Sequence, residues 1–154
     1  MRVTKYTTGL DMNQHPVLVK ERGYNYNEDV LNTPIKISFF LNNLFSMNNL
    51  AEEYLYLISF NVKMKVLGVF EVFHGSVSQC LINPREIFIR LLLTGAVNFV
   101  LCHNHPSGDA TPSKEDILMT NKLLDCSRLM EIIFTDHIII GDNEFCSFKE
   151  KKLM

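Results

Sequence analysis

The chain lacks a surplus of basic charge. Its 154 residues carry 15 Lys and Arg against 17 Asp and Glu, for a formal net charge of -2. Nucleic-acid affinity rests on clustered cations, so this balance argues against a generic nucleic-acid binder and leaves room only for a local basic patch. It also lacks paired cysteines. Cys80, Cys102, Cys126 and Cys146 form no CxxC, which excludes a zinc ribbon and makes a poor disulfide framework for a chain this long. They read as reduced thiols of a cytoplasmic protein. The opening MRVTKYTTGLDMNQ has no apolar core of the kind a signal peptide needs, so none is expected. No apolar run approaches the roughly 20 residues of a membrane helix. Internal repeats, linkers and low-complexity stretches are missing as well.

What is present is 47% hydrophobic residues, enough to build the core of about one domain. Residues 1–15 are polar and read as a frayed or extended lead-in. HPVLVKER (15–22) has the composition of a short strand, and GYNYNED (23–29) of a loop. LNTPIKISFFLNNLFSM (31–47) opens with Asn/Thr and a first-turn Pro, and Ile35, Phe39, Leu41 and Phe45 give it a helical stripe. EEYLYLISFN (52–61) is apolar on both faces, as a central strand covered on two sides should be. KVLGVFEVFHG (65–75) is its hairpin partner. PREIFIRLLLTGA (84–96) starts on Pro and stops near Gly95 like a helix. VNFVLC (97–102) is another buried strand, 113–130 a helix, and EIIFTDHIIIGDNEFCSF (131–148) two or three closing strands turning at Gly141-Asp142-Asn143. The order implies an α/β fold, a mixed central sheet flanked by helices.

HNHPSGDATPSKED (103–116) joins the buried strand to the helix after it. It begins just past the strand's C-terminal end, where open α/β sheets tend to bind ligands. On extended backbone His103 and His105 leave the same face. Imidazoles are good zinc ligands, and a carboxylate can be the third. Asp116, at the start of a helix that the turn can fold back, is the candidate. Two His and one carboxylate leave one coordination position open, the layout of a catalytic zinc site. A plainer reading competes. Ser113 as N-cap, with acidic residues in the first turn, explains Ser113 and Asp116 without any metal. It does not explain the two histidines.

His103-Asn104-His105, seven residues, Ser113, two residues and Asp116 resemble the JAMM (MPN/JAB) zinc-hydrolase motif, H-x-H-x7-S-x2-D. HNHPSGDATPSKED, NPREIF (83–88) and DHIIIG (136–141) are similar to the RadC-like branch in particular, over about residues 30–150. The resemblance implies a cytidine-deaminase-like three-layer MPN/JAB fold. It divides the chain into an N-terminal extension with a short strand (1–30) and a catalytic domain (31–150). It also implies an upstream glutamate. Glu53 opens EYLYLISF and is the choice. Glu52 is its competitor, because alternation along a strand lets only one of them face the metal. The plainer alternative is that both are solvated helix-end charges. In the implied mechanism Zn²⁺ sits on His103, His105 and Asp116, and Glu53 is general base to an activated water. Ser113 donates to the oxyanion. The reaction is amide hydrolysis of a peptide or isopeptide.

Other residues carry less. Asp109 falls in the middle of the turn and Cys102 points away from the histidines by alternation. His137 reads as a hydrogen-bonded core residue or a partner that orients a ligand. His15 and His74 flank turns and face solvent, and 149–152 is a solvated end. RadC-like proteins are labelled with DNA repair, but the longer ones carry an N-terminal helix-hairpin-helix region. Here the residues before the domain read as too few and insufficiently basic for one. A metal-free scaffold would normally have lost a ligand or the glutamate, and all are present. The expected partner is a peptide or protein amide. No membrane contact is expected, and the strands and aromatics of 15–47 offer a surface for a homodimer.

Overall fold

The computed structural model describes residues 1–75 and 82–154. Seven strands form one mixed sheet: β1 (Arg2–Leu10), β2 (Pro16–Asn25), β3 (Glu53–Phe60), β4 (Val66–Gly75), β5 (Asn98–Asn104), β6 (Ile133–Ile140) and β7 (Phe145–Ser147). Their order is β2-β1-β4-β3-β5-β6-β7. β1 runs parallel to β4 and β5 parallel to β6, while the other neighbours are antiparallel. Among the described residues there are three α-helices: α1 (Pro34–Phe45), α2 (Pro84–Thr94) and α3 (Lys114–Met130).

Alternation along the central strands sorts side chains into two cores, giving three layers. Tyr56, Ile58, Val100, Cys102, Ile138 and Ile140 face α1, which contributes Ile37, Phe40 and Leu41. Leu55, Leu57, Phe99, Leu101 and Phe134 face α2 and α3, which contribute Ile87, Leu91 and Leu123. β3 and β5 are covered on both sides, as their unbroken apolar character requires.

Several sequence expectations need correction. Residues 2–10 are a full strand, not a frayed lead-in. Its register against β2 runs from Arg2↔Asn25 to Leu10↔Pro16, and Val3 is wholly buried, so packing holds a polar-looking segment in place. β2 continues through Gly23, Tyr24 and Asn25, which by composition read as loop. The N-terminal 30 residues therefore hold two strands, not one short strand. In α1, Leu41 is buried and Phe45 packs half-buried against the core as expected, but Ile35 and Phe39 are exposed, and Ile37 and Phe40 complete the buried face instead. The helix is apolar on more than one side, so the stripe could not be read unambiguously. His103 lies within β5, one residue before its end, and only His105 is beyond it.

One irregularity decides where His137 points. Phe99 pairs with Phe134 but Val100 pairs with Asp136, so Thr135 is an extra residue on β6. Such a bulge shifts the alternation of everything after it. Without it, His137 would face away from Phe134, toward α1. With it, His137 shares the α3 side of the sheet with His103. Cys102, Cys126 and Cys146 are free thiols, and Cys80 lies outside the described residues. No described helix is long and apolar enough to cross a membrane.

Candidate metal centre

Four side chains from three separate elements meet beyond the end of β5. Glu53, the first residue of β3, His103 and His105 around the end of β5, and Asp116 in the first turn of α3 each offer a ligand atom. These atoms all lie within 4.8 Å of one another. His103 Nε2 is 3.0 Å from His105 Nε2, 3.2 Å from Asp116 Oδ1 and 3.8 Å from Glu53 Oε1. His105 Nε2 is 3.5 Å from Asp116 Oδ2. Glu53, His103 and Asp116 are buried, and His105 is partly open to solvent.

Local chemistry explains each placement. Leu55 and Leu57 pack on the α2/α3 side, and two-residue periodicity sends Glu53 to that same side, where His103 also points. Glu52 is exposed and outside the cluster. His105 N donates to Ile140 O, which pins the chain as it leaves the sheet. The turn then closes on itself and on the β6–β7 connection. Gly108 N donates to His105 O, Asp142 N donates to Gly108 O, and Ala110 N donates to Glu144 Oε1 at 3.0 Å. Gly108 has φ 84°, a left-handed conformation that glycine adopts without cost. Asp109 is tied down at both its carbonyl and its carboxylate. Its backbone oxygen lies 2.7 Å from His105 Nδ1 and its carboxylate accepts from Thr111 N, away from the cluster.

The two readings of Ser113 and Asp116 coexist. They form a capping box: Asp116 N donates to Ser113 Oγ, and Ser113 N and Ser113 Oγ donate to Asp116 Oδ2 at 2.8 and 2.7 Å. The cap fixes the Asp116 rotamer so that its carboxylate also faces both rings. Burial pushes the Asp116 carboxyl up, but hydrogen bonding to His103 and His105 outweighs it and holds the group well below the usual carboxylate range. The Asp116 hydrogen bond pulls His105 upward against burial. Glu53 is raised, chiefly by burial, with the His103 ring opposing and Asp116 adding to the rise.

This donor set fits a metal ion. Since His105 Nδ1 faces a carbonyl, that nitrogen keeps the proton in the neutral ring, and Nε2 is the one that can present a lone pair to the shared centre. A second imidazole nitrogen 3.0 Å away and two carboxylates add further electron-rich atoms, which only a cation can hold together. Glu53 Oε2 is buried and, among the described residues, has no hydrogen-bond partner. A buried orphan carboxylate oxygen beside three ligand atoms marks a place for a polar guest.

Three further residues shape the site and were not read as site residues in the sequence. Asn104 Oδ1 accepts from Tyr54 N at 2.8 Å and Asn104 Nδ2 donates to Glu52 O at 3.0 Å, gripping β3 on either side of Glu53. Thr120 Oγ1 donates to Asp116 O and lies 2.7 Å from His137 Nδ1. Gly141 lets the turn pass close, since a Cβ there would collide with Gly108 O and sit 3.0 Å from Ala110 N. His137 is at once fully buried and 2.9 Å from His103 Nδ1. Cys102 packs on the α1 side as alternation requires. His15 is exposed, and His74, in β4, is exposed and stacks on Tyr54.

A three-layer α/β domain that presents two imidazoles and two carboxylates at the end of its central strands is a JAB/MPN-type fold with a metal-competent centre. The RadC-like JAB domain family matches residues 32–153, and the chain belongs to that family. It is 46% identical over 105 residues to a UPF0758 protein of Clostridium perfringens, covering 68% of this chain and 46% of the relative. A UPF0758 protein of Clostridium tetani is 44% identical over 108 residues, 70% of this chain and 47% of that protein. One from Clostridium botulinum is 42% identical over 125 residues, 81% of this chain and 54% of that protein. The chain thus spans about half the length of the curated relatives it matches.

Proposed function

We propose that the chain is a zinc-dependent amide hydrolase of the peptidase or isopeptidase type. The observation that carries this reading is Glu53: a buried carboxylate, raised in pKa and with a partnerless oxygen, set 3.8 Å from a ring that offers a metal ligand. His103, His105 and Asp116 would hold the ion. Two nitrogens and one carboxylate oxygen suit zinc and leave a coordination position open. A zinc ion there supplies Lewis acidity, polarising an amide carbonyl and making a water acidic near neutral pH.

The remaining work falls to side chains. Burial keeps Glu53 closer to neutral pH in its affinity for protons than an exposed carboxylate, which suits a general base. It takes a proton from the attacking water and returns it to the leaving nitrogen, so that an acid and a free amine are released. Asp116 stays ionised through its cap and the two rings. Ser113 can lend its hydroxyl to the developing oxyanion only by releasing Asp116 Oδ2, to which it donates here. Such a donor is typically worth about 2.7–4 kcal/mol in the transition state.

The test is a metal assay coupled to a cleavage screen. Purified wild type and Glu53→Gln are compared for bound zinc and for hydrolysis of a peptide and isopeptide library. Both should hold zinc, and only the wild type should cleave. Cleavage by Glu53→Gln at the wild-type rate, or none by zinc-loaded wild type, overturns the reading.

A further inference from the structure

We propose that Thr120 and His137 are positioning residues that set which nitrogen of His103 carries its proton, so that Nε2 is left as a lone pair for the metal. The inference rests on the metal-centre reading and adds two residues that touch neither ion nor substrate. Donors and acceptors can be assigned one by one. Thr120 Oγ1 lies 2.7 Å from Asp116 O and 2.7 Å from His137 Nδ1. A hydroxyl has one proton, and a backbone carbonyl can only accept. The Thr120 proton therefore goes to Asp116 O, and His137 Nδ1 must be the donor to Thr120 Oγ1. His137 is wholly enclosed, stacked on Phe148 at 4.6 Å between ring centroids. Burial keeps it neutral: among the described residues no carboxylate is hydrogen-bonded to it, and a second proton would place a charge in a fully enclosed site.

With its proton on Nδ1, His137 has only a lone pair at Nε2. That atom lies 2.9 Å from His103 Nδ1, so His103 Nδ1 is the donor of this bond. In the neutral ring His103 Nε2 is then the nitrogen left with a lone pair, and it faces Asp116 Oδ1 and His105 Nε2. The orientation passes from a helix carbonyl through a hydroxyl and two rings to a ligand atom. Asp116 anchors it at one end by its backbone and takes part in the site at the other by its side chain. Position 120 comes one helical turn after 116, so α3 sets the carboxylate and the ring in a single element. His105 has its own acceptor in Asp109 O, so both rings present Nε2 by separate means.

Remove the Thr120 oxygen and His137 Nδ1–H loses its acceptor. His137 can then move its proton to Nε2, and His103 must answer by moving its own from Nδ1 to Nε2, the nitrogen the metal needs. Partners of this kind typically contribute about 10–100-fold in metal affinity.

The experiment uses the full chain. The ring nitrogens of His103 and His137 are assigned by ¹⁵N NMR of zinc-loaded and zinc-stripped protein. Zinc affinity is measured by competition with a chelating indicator for wild type, Thr120→Val and Thr120→Ser. His137 should be protonated on Nδ1 and bare at Nε2 in both wild-type samples. Thr120→Val should bind zinc about 10–100-fold more weakly, with part of His137 switched to Nε2–H, and Thr120→Ser should restore both. Wild-type His137 carrying its proton on Nε2 overturns the proposal, as does a folded Thr120→Val with unchanged affinity. If Thr120→Val does not fold, the wild-type spectrum alone decides. Failure of wild type to bind zinc would sink the metal-centre reading, whereas the His137 proton position in stripped protein tests the role of Thr120 and His137 independently.

Discussion

Asn104 stands between the two histidines in sequence, yet its side-chain amide holds Glu53 in place. Its Oδ1 takes the Tyr54 N–H and its Nδ2 gives to the Glu52 carbonyl, the backbone groups flanking that glutamate. The regular β3–β5 pairing ends at Leu55↔His103, and the amide continues it by one step where backbone pairing has stopped. The middle residue of the triplet thus couples the ligand strand to the candidate base.

Asn104→Asp keeps an acceptor for Tyr54 N but sets a carboxylate against the Glu52 carbonyl. Leaving that half-buried acceptor unsatisfied should cost at most about 1–3 kcal/mol in urea unfolding. Bound zinc should remain near one per chain while hydrolysis falls, because Glu53 is no longer held. Equal loss of zinc and activity would contradict this division.

His103→Ala and Asp116→Ala should each abolish stoichiometric zinc. Asp116→Ala also removes one half of the capping box, so α3 should lose about 0.5–2 kcal/mol on top of the metal effect. Atomic absorption on the purified variants checks the first statement. Full occupancy in either variant would contradict the ligand assignment.

Gly141→Ala tests the clamp on the turn. The added methyl would displace Gly108 or Ala110 backbone, and overpacking of this kind typically costs about 1–3 kcal/mol. Because that turn carries the acceptor for His105 Nδ1, zinc affinity should drop together with Tm. A lowered Tm with wild-type affinity would separate the clamp from the site.

Away from the site, Lys5 and Glu71 form a half-buried pair at 2.9 Å. Burial alone would raise Glu71, but its hydrogen bond to Lys5 and then that to His74 hold it below the ordinary 4.5. A carboxylate lowered on folding contributes stability above its unfolded value and loses it as pH falls through its folded one. Stability measured by urea unfolding should therefore decline from about pH 4.5 downward, and Glu71→Gln should flatten that part of the decline. An unchanged slope in Glu71→Gln would show that the pair contributes nothing.

Much of the site could be read from the chain because its ingredients are local. His103 and His105 share a face through two-residue periodicity, and Ser113 with Asp116 is a helix start that needs only four consecutive residues. The choice of Glu53 over Glu52 rests on the same alternation, combined with family resemblance. Asn104 and Thr120 escape a sequence reading for opposite reasons. An Asn beside two histidines looks like filler until β3 lies next to it, and a Thr inside a helix has no signal until a ring from β6 arrives. The first strand is hidden because most of its side chains are polar or only half-buried, so its composition resembles a loose lead-in.

The sequence by itself determined the ligand types, their spacing and the helix cap, since these depend on bond geometry over a few residues. Only the tertiary structure decided which side His137 faces, because one extra residue at Thr135 reverses alternation and nothing in the local composition announces it. It alone also brought Glu53 to the histidines across fifty residues of chain. Proximity of that kind comes from strand register and core packing, which are properties of the whole sheet.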